Sequence, residues 1–288
     1  MAASNLRGIL SMLAAVVAFT MMDVCMKRLV ETYPVMQVTF LRGAASLPLL
    51  LAGISVFGRW ADLLPRRWGL HLLRGVISVL ILWAFIYSVS ILSLADAYAI
   101  FMSAPLLITA LSVPLLGEHV GWRRWLAVVF GLLGVIAILR PSGAGVATFA
   151  GIAALAAATG YAVNAITIRM LARTDTAAST LIVALAIGTV ISGVLSISEW
   201  IALRWEHWPW IAGVGIAGAL GQYFITTAFR HAPAGVLAPL EYTALVWGML
   251  FDWLLWLTLP SARMLAGAAV VVGSGLYVIY RERVTQQE

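Results

Sequence analysis

The chain has few charged residues for its length, and this low content indicates which class of protein it belongs to. Of its 288 residues, 10% are charged and 62% are hydrophobic, and the mean hydropathy is +0.99. A soluble domain carries about 25% charged residues, because its surface must face water. The composition therefore excludes a soluble globular domain and predicts a polytopic membrane protein.

The motifs of common enzymes and pumps are also missing from the sequence. The chain has a single lysine, Lys27, and no GxxxxGK[ST] phosphate-binding loop, which argues against ATP-driven transport by this chain alone. It has no HExxH, no Cys/His metal spacing and no GxSxG motif. Cys25 is the one cysteine, so an intramolecular disulfide is excluded. We expect no enzymatic activity, no cofactor and no metal.

The chain instead contains ten apolar segments, each long enough to cross about 30 Å of hydrocarbon as a helix. Short connections with turn or basic residues separate them, and none of these connections could hold a soluble domain. The predicted spans are 7–28, 34–57, 69–91, 95–116, 123–140, 147–171, 178–200, 209–229, 235–257 and 263–281.

The ten spans fall into two sets of five that resemble each other. Leu10 to Lys27 aligns with Ile152 to Arg169 at a spacing of 142 residues, and Ala95 to Ala137 aligns with Gly235 to Tyr277 at a spacing of 140. Because five is odd, the second set would cross the bilayer in the opposite sense, as in the inverted repeats of secondary transporters. The predicted fold is all-α and polytopic, with ten transmembrane helices in two inverted five-helix repeats around a central cavity. The predicted repeats are 1–143 and 144–288.

The basic residues predict the orientation. With the N-terminus inside, twelve of them fall on the cytoplasmic side, Arg74 among them, and five fall outside. Cytoplasmic loops of membrane proteins carry an excess of Lys and Arg. We therefore expect a multi-pass protein of the cell inner membrane with both termini in the cytoplasm. Because these loops explain the net charge of +6, we expect a lipid bilayer and a small-molecule substrate as partners, and no nucleic acid.

Ionisable side chains inside the spans mark candidate functional positions, because a charge in hydrocarbon is costly unless it faces a cavity or a partner. Asp23 lies four residues before Lys27, a spacing that allows an intrahelical ion pair. Arg42 has no carboxylate near it in sequence and could reach the interface or cap carbonyl groups. Glu241 is the strongest candidate, since Pro239 loosens the helix hydrogen bonds beside it. It could bind a substrate amine, titrate with a coupling proton, or hold two helices together.

Other polar and aromatic side chains concentrate in spans 1, 3, 4, 6, 8 and 9, and spans 2, 5, 7 and 10 are poorer in them. We predict a cavity bounded by the six richer spans, whose aromatic and amide-rich lining suits a small zwitterionic or planar organic solute. Asp252, near the predicted outer end of span 9, is as good a candidate for a helix-end group as for a ligand. The predicted substrate-binding residues are Trp83, Tyr87, Tyr98, Tyr161, Asn164, Gln222, Tyr223, Glu241 and Tyr242.

Glycines form a further pattern within the spans. Glycine lets helix backbones approach closely, so these residues predict helix packing, with bends for gating as the alternative. The same faces could serve a dimer interface, and the sequence leaves the oligomeric state open. The glycines concerned are Gly131, Gly134, Gly213, Gly215, Gly218, Gly267, Gly273 and Gly275.

Three stretches carry a resemblance to a known family. They are SILSLADAYAIFMSAPLLITALSVPLLGEHVGWRRWLAVVFGLLGVIAILRP, GQYFITTAFRHAPAGVLAPLEYTALVWGMLFDWLLWLTLPSARMLAGAAVVVGSGLYV and the Arg-bearing VTFLRGAASLPLLL. Together they resemble the drug/metabolite transporter superfamily, specifically its EamA-type ten-helix exporters. The resemblance implies two inverted five-helix repeats around a cavity. It also implies an acidic residue in the turn after span 4, present as Gly117-Glu118, whose counterpart after span 9 is replaced by Thr258.

The resemblance implies a class of activity and leaves the substrate open, as a shared fold generally does. Similar proteins export amino acids, including aromatic ones, and others move riboflavin or S-adenosylmethionine. We therefore predict a secondary transporter of the inner membrane that exports amino acids by alternating access. The alternatives are an importer of a cofactor-like metabolite such as riboflavin or S-adenosylmethionine, a membrane-embedded enzyme, and a non-transporting scaffold or lipid flippase component.

Overall fold

A computed structural model describes residues 2–117, 120–139, 146–232 and 234–287. This part of the chain is helical with short connections and contains no strand. Helices are expected where long apolar runs cross lipid, because a helix satisfies its own backbone polar groups. The helices are α1 Ala2–Val30, α2 Val35–Phe57, α3 Trp68–Ile91, α4 Leu94–Phe101, α5 Ala104–Leu116, α6 Trp122–Leu139, α7 Val146–Leu171, α8 Ala177–Ser196, α9 Trp208–His231, α10 Ala234–Glu241, α11 Ala244–Trp256 and α12 Ala262–Gln287.

These helices occupy all ten predicted spans, and the prediction of an all-α polytopic membrane protein is confirmed. Within the described ranges, eight helical segments are long and apolar enough to cross a membrane. Two of the predicted spans are not single helices. Span 95–116 is divided into α4 and α5, and span 235–257 is divided into α10 and α11.

A hydroxyl group stabilises each of the two breaks in the same way. At the first break, Ser103 Oγ donates a hydrogen bond to the carbonyl of Ile100, at 2.7 Å. At the second, Thr243 Oγ1 donates to the carbonyl of Leu240, at 2.6 Å. Each hydroxyl therefore adds a second hydrogen bond to a carbonyl group that also accepts the backbone N–H of the same residue, at the point where the regular backbone ladder is interrupted.

The helix ends reproduce the repeat that the sequence shows. Adding 140 to the first and last residue numbers of α3, α4 and α5 gives the bounds of α9, α10 and α11. The contacts are reciprocal as well: α1 packs on α9 and α7 packs on α3, while α2 pairs with α8 and α6 with α12. Such exchange of partners is what a two-fold relation between two similar halves produces.

Several glycines lie where two helix backbones nearly touch. A Cβ atom on Gly215 of α9 would lie 2.7 Å from the carbonyl oxygen of Ala45 in α2. Gly134 and Gly267 play the same part where α6 crosses α12, since a Cβ on either would come within 3.0 Å of the other's carbonyl oxygen. The packing interpretation therefore fits these positions. It does not fit Gly273, where a Cβ would meet nothing within 4 Å.

We predict that Gly215→Ala lowers the stability of the protein and that Gly53→Ala does not. The added methyl group at Gly215 must displace the α2 backbone, and such overpacking costs about 1–3 kcal/mol. Gly53 lies in α2 with open space around it, so alanine there should stabilise the helix slightly. Thermal unfolding in detergent, compared with the wild type, measures both effects. Equal melting temperatures for the two variants would contradict the close approach of α2 and α9.

Candidate functional site

A cavity of about 460 Å³ lies where the two helix breaks meet the bundle. It is bounded by the six predicted spans, that is by α1, α3, the α4–α5 break, α7, α9 and the α10–α11 break. Two further helices also line it, α2 and α8, which sequence polarity had ranked low. The reason lies in α8, whose cavity face is mainly apolar and includes Leu181, Ala184 and Leu185. An apolar lining leaves no polar signal in the sequence.

Four aromatic rings form one continuous wall of this cavity. Tyr98 stacks on Phe85 with ring centroids 6.0 Å apart, and Phe85 meets Phe101 edge to face at 5.5 Å. Phe101 in turn contacts Tyr161 edge to face at 5.4 Å. Because offset and edge-to-face contacts fix ring positions, the wall presents a defined apolar surface to a flat or aromatic solute.

Asp23 faces this cavity and does not form the predicted ion pair with Lys27. The carboxylate of Asp23 accepts a hydrogen bond from the hydroxyl of Tyr98, at 2.6 Å. Lys27 instead pairs with Asp252 on α11, with an N–O distance of 3.3 Å. The prediction was wrong because the i, i+4 spacing offers only a weak, local interaction, whereas α11 brings a buried carboxylate to the lysine. Asp252 is therefore a buried partner of Lys27 and not a simple helix-end group.

Two arginines line the cavity, and neither was among the predicted binding residues. Arg74 was counted only as a basic residue of the cytoplasmic side; it lies within α3 and is 8% exposed. Its Nε donates to Asn164 Oδ1 at 2.9 Å, and its Nη1 donates to the carbonyl oxygen of Thr180. One signal was available: Arg74, Ser78 and Phe85 follow helical spacing, and all three line the cavity.

Arg42 extends from α2 into the same cavity. Its guanidinium interacts electrostatically with the carboxylate of Asp23, which the sequence could not show because the two residues lie on different helices. Its buried Nε has no hydrogen-bond partner among the described residues. A buried donor without a partner is costly and calls for an explanation. A bound solute with an acceptor group would provide one.

Glu241 is the last residue of α10 and lies on the cavity at the second helix break. Among the described residues no basic side chain forms an ion pair with it. Its carboxylate interacts electrostatically with the phenol groups of Tyr161 and Tyr242. Its counterpart in the first repeat is Phe101, 140 residues earlier, which belongs to the aromatic wall. The α10–α11 break therefore carries a carboxylate, and the α4–α5 break carries an aromatic ring at the corresponding position.

The structure brings five of the nine predicted binding residues to the cavity and leaves four outside its lining. Those that line it are Tyr98, Tyr161, Asn164, Gln222 and Glu241. The other four, which the cavity lining does not include, are Trp83, Tyr87, Tyr223 and Tyr242. The acidic residue of the turn after span 4, Glu118, lies outside the described residues.

Each of the four side chains outside the lining has other surroundings in the structure. Trp83 is 40% exposed and stacks on Tyr87 along α3 at 5.7 Å, away from the α3 face that carries Phe85. Tyr223 is 60% exposed and contacts its neighbour Phe224. Tyr242 is buried with its hydroxyl against Gly275 of α12. Polar or aromatic character in a span therefore did not determine which face of the helix carried the residue.

A polar cluster beside the cavity holds the connection between α7 and α8 against the start of α3. One oxygen of Asp175 accepts from the backbone N–H of Arg66 at 2.6 Å and lies 3.1 Å from His71 Nε2. The other oxygen accepts from Thr174 Oγ1 at 2.6 Å. Burial would raise the pKa of Asp175, but these hydrogen bonds outweigh it and hold the pKa well below its usual value. This cluster fixes the start of α8, and with it the carbonyl of Thr180 that Arg74 binds.

The fold and the cavity define a polytopic helical membrane protein with a charged and aromatic central site. The chain matches the EamA-like transporter family over residues 6–140 and again over 148–281. These two matches cover most of its length, so the chain belongs to this family. The resemblance predicted from the sequence is confirmed.

Three relatives show what this family contains. A Helicobacter pylori protein named an uncharacterized transporter is 32% identical over 281 residues, covering 94% of each chain. The riboflavin transporter of Vibrio cholerae is 28% identical and covers 95% of this chain and 93% of its own. The pseudopaline exporter of Pseudomonas aeruginosa is 26% identical, with 92% and 93% covered. Their names are those of transporters rather than enzymes, and their cargoes differ.

We predict that Asp175→Asn lowers the melting temperature at pH 7, because the amide is a weaker acceptor for the three donors that surround Asp175. Since the folded carboxyl has a lowered pKa, its contribution is present above the ordinary value of about 3.9 and is lost as the pH falls through the folded value. Thermal unfolding from neutral to strongly acid pH measures this. Asp62→Asn, which removes the same charge from the connection between α2 and α3, is the control. A variant as stable as this control at pH 7 would contradict the role of the cluster.

Proposed function

We propose that this transporter moves small zwitterionic metabolites, amino acids first among them, through the central cavity by alternating access. The observation that carries the proposal is the cavity's combination of charges. Asp23 and Glu241 supply two carboxylates, Arg42 and Arg74 supply two guanidinium groups, and all four side chains line the cavity. Charged groups inside a membrane bundle commonly mark a substrate route.

The pairing of these charges suggests how a zwitterion would bind. Glu241 has no basic partner among the described residues, so it is available to a substrate ammonium group. Arg42 keeps an unpartnered Nε and can donate to a carboxylate, a geometry for which guanidinium groups are well suited. An amino acid carries both groups and would satisfy both.

Arg74 differs from Arg42 because the protein already positions it. Two of its nitrogen atoms are bound by Asn164 and Thr180, which holds the guanidinium in place without neutralising its charge. Neither partner is acidic. We therefore assign Arg74 to the recognition of negative charge, either on the substrate or as a counter-charge to Glu241.

The helix breaks supply the setting for this site. In secondary transporters, substrates bind near the bilayer midplane beside discontinuous helices, and one repeat moves against the other. The α4–α5 and α10–α11 breaks both border the cavity, through Phe101 and Glu241. We propose a cell inner membrane location with cytoplasmic termini, and export as the direction, on the basis of the basic loops and the resemblance to exporters.

A second candidate is the import of a larger, planar metabolite of the riboflavin or S-adenosylmethionine kind. The four-ring wall favours it, because aromatic faces stack well on planar ring systems. The volume of about 460 Å³ also falls within the range of roughly 300–1,000 Å³ that holds drug-sized ligands. A scaffold or a lipid flippase component accounts less well for four charged side chains around one cavity.

Counterflow of a radiolabelled amino-acid panel into proteoliposomes, with riboflavin and S-adenosylmethionine in parallel, separates these candidates. We expect saturable uptake of at least one amino acid. Saturable flavin uptake without uptake of any amino acid would overturn the first candidate in favour of the second. Counterflow that is indifferent to pH between about 5 and 8 would remove any proton-coupling role of Glu241.

We predict that Glu241→Gln raises the half-saturation concentration for the transported amino acid by about tenfold or more, the effect of losing one charge-assisted hydrogen bond. Glu206→Gln is the matched control, because its side chain is exposed in a connection between helices. The measurement is counterflow at equal amounts of reconstituted protein. Unchanged half-saturation in Glu241→Gln would exclude contact between this carboxylate and the substrate.

A further inference from the structure

A buried ion pair joins three parts of the bundle next to the cavity. Lys27 Nζ on α1 lies 3.3 Å from Asp252 Oδ1 on α11, and the two side chains are 11% and 3% exposed. Lys27 also donates to the carbonyl oxygen of Leu92 at 2.9 Å. The second oxygen of Asp252 accepts the backbone N–H of Ala95 at 2.8 Å. The pair thus connects α1, α11 and the link between α3 and α4.

Two more side chains cover this ion pair on the side away from the cavity. The ring of Trp256 lies under Lys27 Nζ, 4.7 Å from its centroid, which adds a cation–π contact. The indole N–H of Trp256 donates to Glu31 Oε1 at 3.0 Å. Lys27, Asp252, Trp256 and Glu31 therefore form one assembly, the Lys27 seal, at the end of the bundle where α1 and α11 finish.

The Lys27 seal lies directly beyond the cavity. Met26, the residue before Lys27, lines the cavity and is 1% exposed. On α11 the last lining residue is Ala244, eight residues before Asp252, which is about 12 Å along a helix. The ion pair therefore joins α1 and α11 one residue beyond the cavity lining on α1 and eight residues beyond it on α11.

The opposite end of the bundle lacks the corresponding carboxylate. The repeat places Ser112 of α5 at the position of Asp252, 140 residues earlier. Ser112 donates its hydroxyl to the carbonyl of Thr109 within its own helix, at 3.0 Å. Although the two halves resemble each other, the acid of the seal is therefore present at one end alone.

We propose that the Lys27–Asp252 ion pair closes one end of the transport route and breaks each time the route opens at that end. This proposal rests on the proposed alternating access, and it concerns gating rather than substrate choice. Lys27 and Asp252 are positioning residues, because neither lines the cavity. By the predicted orientation, the end that they close is the outer one.

The double variant Lys27→Met with Asp252→Asn tests the proposal better than either single change. A single change leaves one charge buried without its partner, which is strongly destabilising. The double variant removes both charges, and the asparagine oxygen can still accept the N–H of Ala95. Arg204→Met is the control: it removes one positive charge from an exposed ion pair with Glu206 that contacts no member of the seal.

The readout is access to a cysteine placed at Met26 in a Cys25→Ala background. A membrane-impermeant thiol reagent is applied to intact cells and, separately, to inverted vesicles. Thr258→Cys, exposed just after α11, marks which preparation presents the end with the seal. In that preparation we expect residue 26 of the double variant to react at least about fivefold faster than in the otherwise unchanged protein, a typical size for coupling between two states. Arg204→Met should react at the unchanged rate.

Equal labelling rates in the double variant and the unchanged protein would overturn the proposal, and so would an equal increase in Arg204→Met. If the double variant does not fold, Trp256→Leu replaces it, since this change uncovers the ion pair without leaving a charge unpaired. It should also increase labelling, and an unchanged rate would count against the seal. Because the reagent needs no substrate, a wrong substrate assignment would not alter these outcomes.

Discussion

A charge placed inside this bundle must find its partner inside the bundle, because the surrounding hydrocarbon supplies none. Most of the buried charges obey this constraint. Lys27 meets Asp252, Arg74 is held by Asn164 and a carbonyl group, and Asp23 accepts from Tyr98. The exceptions lie on the cavity: Glu241, and Nε of Arg42. Within the part of the chain that the structure describes, these incompletely paired groups are the observation on which the proposed substrate site rests.

The same constraint shapes the backbone and makes the two halves unequal. Both repeats interrupt a helix, and in both a hydroxyl group adds a hydrogen bond to a carbonyl group near the break, from Ser103 in one and Thr243 in the other. The helix break and its hydroxyl hydrogen bond are therefore present in both repeats, whereas the charged residues are not. Where the second repeat has Glu241 and Asp252, the first has Phe101 and Ser112. The duplicated helices line the cavity, and the side chains that differ between the repeats are those to which we assign substrate binding and gating.

The sequence was sufficient for the helices, the repeat and the family, because these depend on long apolar runs and regular spacing. It also predicted Tyr98, Asn164 and Glu241 as cavity residues, and all three line the cavity. It did not predict the contacts that a side chain makes with partners on other helices. Lys27 pairs across the bundle and not within its helix, and Arg74, which was counted only for orientation, lines the cavity. Such contacts depend on helix rotation and tertiary packing, which a periodic pattern does not encode.

The central claim is that the cavity recognises both charges of a zwitterion. Equilibrium binding of a transported amino acid to the purified protein tests it most directly, in competition with the amide and the decarboxylated amine of the same compound. The account predicts that removing either charged group weakens binding by about tenfold or more, the effect of one charge-assisted contact. An amine or an amide that competes as well as the amino acid would contradict it.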